Sequence, residues 1–194
     1  MVEDVISKIE SKFGKVVVTR GDTHNFLGIR ATFPGDRTVH IDTIQHVKEA
    51  IEDFDKPMDR GAATPALRNL FDMEGKTEGL TPRQQQKFRS IVPKLLWVTK
   101  RGRPDIELPV AFLCTRVDKC NSSDWKKLRR LLHFLYATID DVRILSIENM
   151  ETIFSLFTFV DVAYAVHNDM RSHTGGGLSM GRGLIHSKSS KTKT

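Results

Sequence analysis

The hydrophobic period changes at Asp141, and that change restricts the chain to a fold in which helices and strands are segregated. Upstream of it, apolar residues recur three and four positions apart; downstream they alternate. Trp125, Leu128, Leu131, Leu132 and Leu135 form the core stripe of a helix predicted over 123–137, with Lys126, Lys127, Arg129 and Arg130 mostly on its other side. Another helix is predicted over 81–100. Thr81 caps it, Pro82 sits at the first position, where a missing N–H costs nothing, and Gln84 completes a capping box. Pro93 removes a donor inside this helix and is expected to kink it. Residues 104–116 read as a further helix, with Pro109 in its first turns. Beyond Asp141, 142–147 and 152–161 read as strands, the second apolar enough to be central in its sheet. Gly175-Gly176-Gly177 leads into a hairpin of 178–180 and 184–186.

The first eighty residues are mixed. Val5, Ile6, Ile9 and Phe13 predict a helix over 2–13 that stops at Gly14, and Val16-Val17-Val18-Thr19 a short strand. Residues 25–33 and 37–41 read as a hairpin across Pro34-Gly35. Asp42 is expected to cap a helix reaching Phe54, with Ile44, Val47, Ile51 and Phe54 as its apolar stripe. Residues 55–80 carry three glycines and two prolines and read as a long surface loop with a short helical piece near 65–71. A loop of that length is uncommon unless it has a function. The order is β-rich, then helical, then β-rich: an α+β chain.

Charge narrows the function classes. The formal net charge is +6, which permits a polyanionic partner. Residues 83–103 hold seven Lys/Arg and no acid, and the tail after Asp169 holds five more and no acid. Acid-free stretches of this kind favour phosphate contact over a merely solvated face. No apolar run approaches membrane-span length, and Met1-Val2-Glu3-Asp4 has neither the basic nor the apolar region of a secretory signal, so an intracellular location without membrane contact is expected. Cys114 and Cys120 fit reduced thiols, Cys114 in the core beside Phe112 and Leu113. The histidines lack zinc-like spacing, and the glycines near 175–183 are not followed by Lys-Ser/Thr in P-loop order. Asp140-Asp141, the sole Asp-Asp pair, falls at a helix end and reads as a solvated terminus.

Six short motifs then fall in one order. They are Phe26-Leu27-Gly28-Ile29 in a strand; Phe88-Arg89-Ser90-Ile91-Val92 with Leu95-Leu96-Trp97; Arg103-Pro104-Asp105-Ile106 with Ala111-Phe112-Leu113; Asp124-Trp125 with Leu131-Leu132-His133-Phe134-Leu135 and Thr138; Val160-Asp161-Val162-Ala163-Tyr164-Ala165; and Arg171-Ser172-x-Thr174-Gly175-Gly176 with Ser187-Lys188-Ser189-Ser190-Lys191. Together they resemble the carboxyl-terminal part of the copia-type retrotransposon reverse transcriptases, over nearly the whole chain. Pro93, where glycine or alanine is common, and Tyr164, often Trp, depart from the pattern.

The resemblance implies the end of a polymerase palm with its primer-grip hairpin (1–42), a helical thumb or connection (43–140) and an incomplete RNase H-like sheet (141–194). It implies an RNA–DNA or DNA duplex and the remainder of the Pol polyprotein as partners. Phe26, Leu27 and Gly28 would grip the primer. Gly28 would allow close backbone approach, although a buried strand with a bulge glycine explains Phe26 and Leu27 equally well. Lys87, Arg89, Lys94, Lys126, Lys127, Arg129 and Arg130 would hold phosphates. Both chemistries of the parent enzyme need carboxylates clustered on paired Mg²⁺ ions. The Tyr-x-Asp-Asp hairpin is missing, and Asp161 matches only the first acid, and first metal ligand, of the RNase H set. The chain is therefore expected to bind duplex without extending or cutting it, and to hold no Mg²⁺ tightly. A stand-alone basic nucleic-acid-binding module and a relic reading frame are the alternatives. The resemblance also makes 187–194 a strand edge, where composition alone reads as a basic disordered tail.

Overall fold

Helices with one apolar face must bury it together, and four helical segments do so here. The computed structural model describes residues 2–54, 56–73, 78–147 and 155–192. Its core lies between α2 (Ile44–Glu52), α3 (Pro82–Arg101), a 3₁₀ turn (Pro104–Ile106) running into α4 (Glu107–Cys114), and α5 (Ser122–Ala137). Phe88, Ile91, Leu95 and Val98 of α3 meet Leu128, Leu131, Leu132 and Leu135 of α5, all fully buried. Each such side chain contributes on the order of 1.5–3 kcal/mol of burial, so these two stripes dominate the fold. Phe54 stacks on Trp125 with ring centroids 4.6 Å apart.

The helix starts follow from their caps. Thr81 and Gln84 satisfy one another's backbone donors at the head of α3, which continues unbroken through the exposed Pro93. Asn121 and Asp124 make the same reciprocal box for α5, and Asp124 also pairs with Arg116 at 3.1 Å. Arg103, 3% exposed, sends its guanidinium to Asp105 and to the carbonyl and hydroxyl oxygens of Thr138 at 2.8 and 2.7 Å. The Arg-Pro-Asp-Ile segment therefore ties the end of α3 to the end of α5.

Two open antiparallel sheets flank the helices. The first has the order β1-β2-β3-β4-β7, from β1 (Thr23–Phe26), β2 (Ile29–Thr32), β3 (Thr38–Asp42), β4 (Arg143–Ile147) and β7 (Gly181–Arg182). β3 pairs with β4 across the division expected at 140. The second is a meander of β5 (Phe157–Ala163), β6 (His173–Ser179) and β8 (Leu184–Lys191), with β6 in the middle. Buried Glu107 fastens α4 to β8: it accepts hydrogen bonds from Lys100, from the Ser187 hydroxyl and from the Ser189 N–H at 3.0 Å.

Several local expectations are corrected. Residues 16–19 form no strand; without a partner to pair with, β-branched composition is not enough. Phe26 closes β1, but Leu27 and Gly28 form the two-residue turn to β2, with φ of 50° and 76°, so they do not sit in a buried strand. Asp42 ends β3 while Thr43 takes the N-cap of α2, with the Asp42 carboxylate accepting the Ile44 N–H at 3.3 Å. Residues 65–71 make turns rather than a helix. The expected 104–116 helix is split and ends at Cys114. β5 is an edge strand, not a central one, and its apolar residues are exposed on both faces, Phe157 and Phe159 on one and Val160 and Val162 on the other; residues 152–154 of that expected strand lie outside the described residues. The glycine run lies within β6, where the Leu184 side chain occupies the space a Cβ at Gly177 would need. Residues 187–191 are strand, not tail. Helix α1 (Val2–Phe13) forms as expected but buries none of its residues.

Candidate nucleic-acid interface

A cation can hold phosphate only if the fold has not already neutralised it. By that test the two basic helices differ. On α3, Lys94 pairs with Asp53 at 2.7 Å, Lys87 donates to the Asp53 carbonyl and Lys100 pairs with Glu107; just past its end, Arg103 pairs with Asp105. The acid-free appearance of 83–103 is thus a property of the sequence window. Acids from α2, α4 and the 3₁₀ turn come back to it in space. Arg89 stays exposed on α3 with no ion pair among the described residues.

On α5 the opposite holds. Lys126, Arg129, Arg130 and His133 lie at i, i+3, i+4 and i+7, one face of the helix. The segment 60–66 is laid along that face. Two adjoining hollows result. One, of about 510 Å³, is lined by Arg60, Lys126, Arg129, Arg130 and His133 together with 61–63. The other, of about 270 Å³, has Pro65, Ala66, Leu67 and Leu70 on one side and Lys126, Lys127 and Arg130 on the other. Neither is lined by a carboxylate. Among the described residues Arg60, Lys126, Arg129 and Arg130 make no ion pair. Lys127 leans away, donating to the Asp72 carbonyl at 2.6 Å with its ammonium 4.7 Å from the Phe112 ring centre.

The hairpin tip lies apart from these. Phe26 and Leu27 are exposed, and the close approach at Gly28 is to the protein itself: a Cβ there would fall 2.0 Å from the His46 ring. His46 in turn stacks on Trp97 at 4.2 Å. Asp161 lies on β5 opposite Gly175, in a hollow otherwise lined by Phe159, Val160, Gly176, Gly177 and Leu184. No second acid joins it there, and no three His, Cys, Asp or Glu side chains converge among the described residues. The donors present around Asp161 do not fit a two-ion Mg²⁺ centre, which needs several carboxylates about two ions some 3.5–4 Å apart. Asp140 and Asp141 are exposed just past α5. Burial raises the thiol pKa of both free cysteines, Cys114 and Cys120, which disfavours their thiolate forms.

Arg60 and His133 escaped the reading of the sequence as binding groups. Arg60 is a lone cation in an irregular segment, and His133 sits inside an apolar run. The one signal was the unusual length of the 55–80 loop. No protein-family model matches the chain, and no solved structure matches it. The functional reading therefore rests on the chain's own residues.

Proposed function

We propose that this chain is part of a copia-type retrotransposon reverse transcriptase, the RNA-directed DNA polymerase that copies the element's own transcript, and that it clasps a primer–template duplex without catalysis. The observation that carries this reading is the α5 face: unneutralised cations on one helix, beside a groove with no acid. Like charges at i and i+4 are mutually destabilising, so a helix keeps them together at a cost that an external polyanion would relieve. Phosphate contacts of this kind position a duplex irrespective of its sequence.

Three features support the family part of the reading. The motif residues sit at the joints of the fold: Arg103 with Asp105 and Thr138, and Asp124 with Asn121 and Arg116. Asp161 lies on the first strand of an antiparallel three-stranded meander, as the resemblance to an opening RNase H-like sheet implies. The exposed apolar residues of β5 and the uncovered apolar stripe of α1 favour a segment that packs on more protein, here the remainder of the Pol polyprotein, over a stand-alone module. In the complete parent enzyme Mg²⁺ would sit on further carboxylates together with Asp161, inside intracellular element-encoded particles.

The test is the salt dependence of binding to an RNA–DNA hybrid. Affinity should fall steeply with salt, and the slope should shrink when Lys126→Glu and Arg130→Glu are combined. A slope unaffected by that double reversal removes α5 from the binding face.

A further inference from the structure

We infer that the segment 60–65, folded against α5, completes a seat for one phosphodiester group of a nucleic-acid strand, with Arg60, Lys126, Arg129 and Arg130 as its cations and His133 as a positioning residue. This rests on the duplex-binding reading and names the site within it.

The cations are gathered by neutral hydrogen bonds rather than by acids. The Ala62 N–H donates to the His133 carbonyl at 3.2 Å, and Arg130 donates to the Thr64 hydroxyl at 2.9 Å. A Cβ at Gly61 would fall 2.5 Å from the Ala137 Cβ, so the segment is pressed directly onto the helix. His133 joins the two halves. Its Nε2 lies 3.3 Å from the Arg129 Nε–H and must therefore accept. Its Nδ1 then carries the proton and donates to the Arg60 carbonyl. One imidazole thereby orients the Arg129 guanidinium and anchors the loop residue that brings Arg60. The terminal nitrogens of Arg129 have no partner among the described residues, and the Nε of Arg130 is buried without one.

Several cations held together by uncharged ties, with no acid in the lining, match a bidentate anion such as phosphate. The neighbouring hollow decides which phosphate. It shares Lys126 and Arg130 with the basic trough but is walled by Pro65, Ala66, Leu67 and Leu70. An apolar shelf beside the anion fits a phosphate that carries a sugar, as in a strand, better than a free phosphate ion.

The experiment uses the full chain and a fluorescent RNA–DNA hybrid, with affinity measured across a salt series by anisotropy. Arg60→Gln with Arg129→Gln, both on exposed side chains, should lower the slope of log affinity against log salt by about 1. Lys12→Gln with Lys48→Gln, which removes the same charge far from the trough, should leave the slope as it is. Melting curves of both variants check folding, and Lys126→Gln alone provides a second, milder variant with the same direction of effect. If wild type binds the hybrid and the two double variants shift the slope alike, the seat is overturned while duplex binding stands. If wild type does not bind the hybrid, the duplex reading is overturned. The Arg Nε resonances of Arg129 and Arg130 are then followed with inorganic phosphate and with a dinucleoside monophosphate. Response to the dinucleotide in preference to inorganic phosphate upholds the seat; equal response or none overturns it.

Discussion

At the residue scale, four residues have consequences that can be measured without any ligand. Gly28 needs φ of 76° and has no room for a Cβ beside His46. Gly28→Ala should destabilise the chain by about 1–3 kcal/mol, seen as a lower urea midpoint; an unchanged midpoint would mean that the turn and His46 shift freely. Arg103 is buried and its fork reaches two partners at once. Arg103→Lys keeps the charge but loses that geometry, and should cost about 2–3 kcal/mol. His167 and His173 face one another at 3.1 Å against Phe71, with Ser189 beyond His173 and with Asp169 and Lys191 nearby. Burial, then Lys191 for the first and its partner imidazole for the second, lowers both pKa values below the ordinary imidazole value. The folded state thus holds fewer protons than the unfolded one as pH falls below about 6.5. Stability from this pair is complete above that pH, is lost on acidification through the window below it, and stops falling beneath the lowered folded values. The drop in melting temperature between pH 7.5 and 5 should be smaller in His167→Asn with His173→Asn than in wild type; an equal drop would clear the pair of this role.

At the scale of elements, α3 and α5 show what the sequence could and could not reveal. Their bounds, caps and buried stripes were legible, because apolar spacing and capping residues act within a few positions of one another. The pairing of charges was not. Lys94 meets an aspartate 41 residues away and Lys100 a glutamate 7 away on another element, so a window without acids looked uniformly basic although part of its charge is paired in space. Arg60 reaches α5 only because a long irregular segment is laid there, and irregular segments carry no period to read. β5 was misjudged for a related reason: a run of Ile, Leu, Phe and Val reads as central in a sheet whether or not neighbours are there to bury it. Glu107 hydrogen-bonds α4 to β8. Glu107→Ala removes three hydrogen bonds at once and should cost about 2–3 kcal/mol, with hydrogen exchange in 184–191 speeding up more than in α5. Uniform change across both elements would argue against a local tie.

At the scale of the whole molecule, the helical core is complete in itself while the sheets are open. The charged groove on α5 and the bare apolar faces of α1 and β5 are different kinds of surface, one suited to a polyanion and the other to more protein. On the proposed reading the chain grips rather than reacts: among the described residues cations gather on α5, and no three potential metal-ligating side chains converge. The most direct test puts the purified chain with a labelled primer on an RNA template, Mg²⁺ and all four deoxynucleoside triphosphates. A salt-sensitive complex is expected, from which both strands are recovered at their original lengths. Primer extension or RNA cleavage by the chain alone would contradict it.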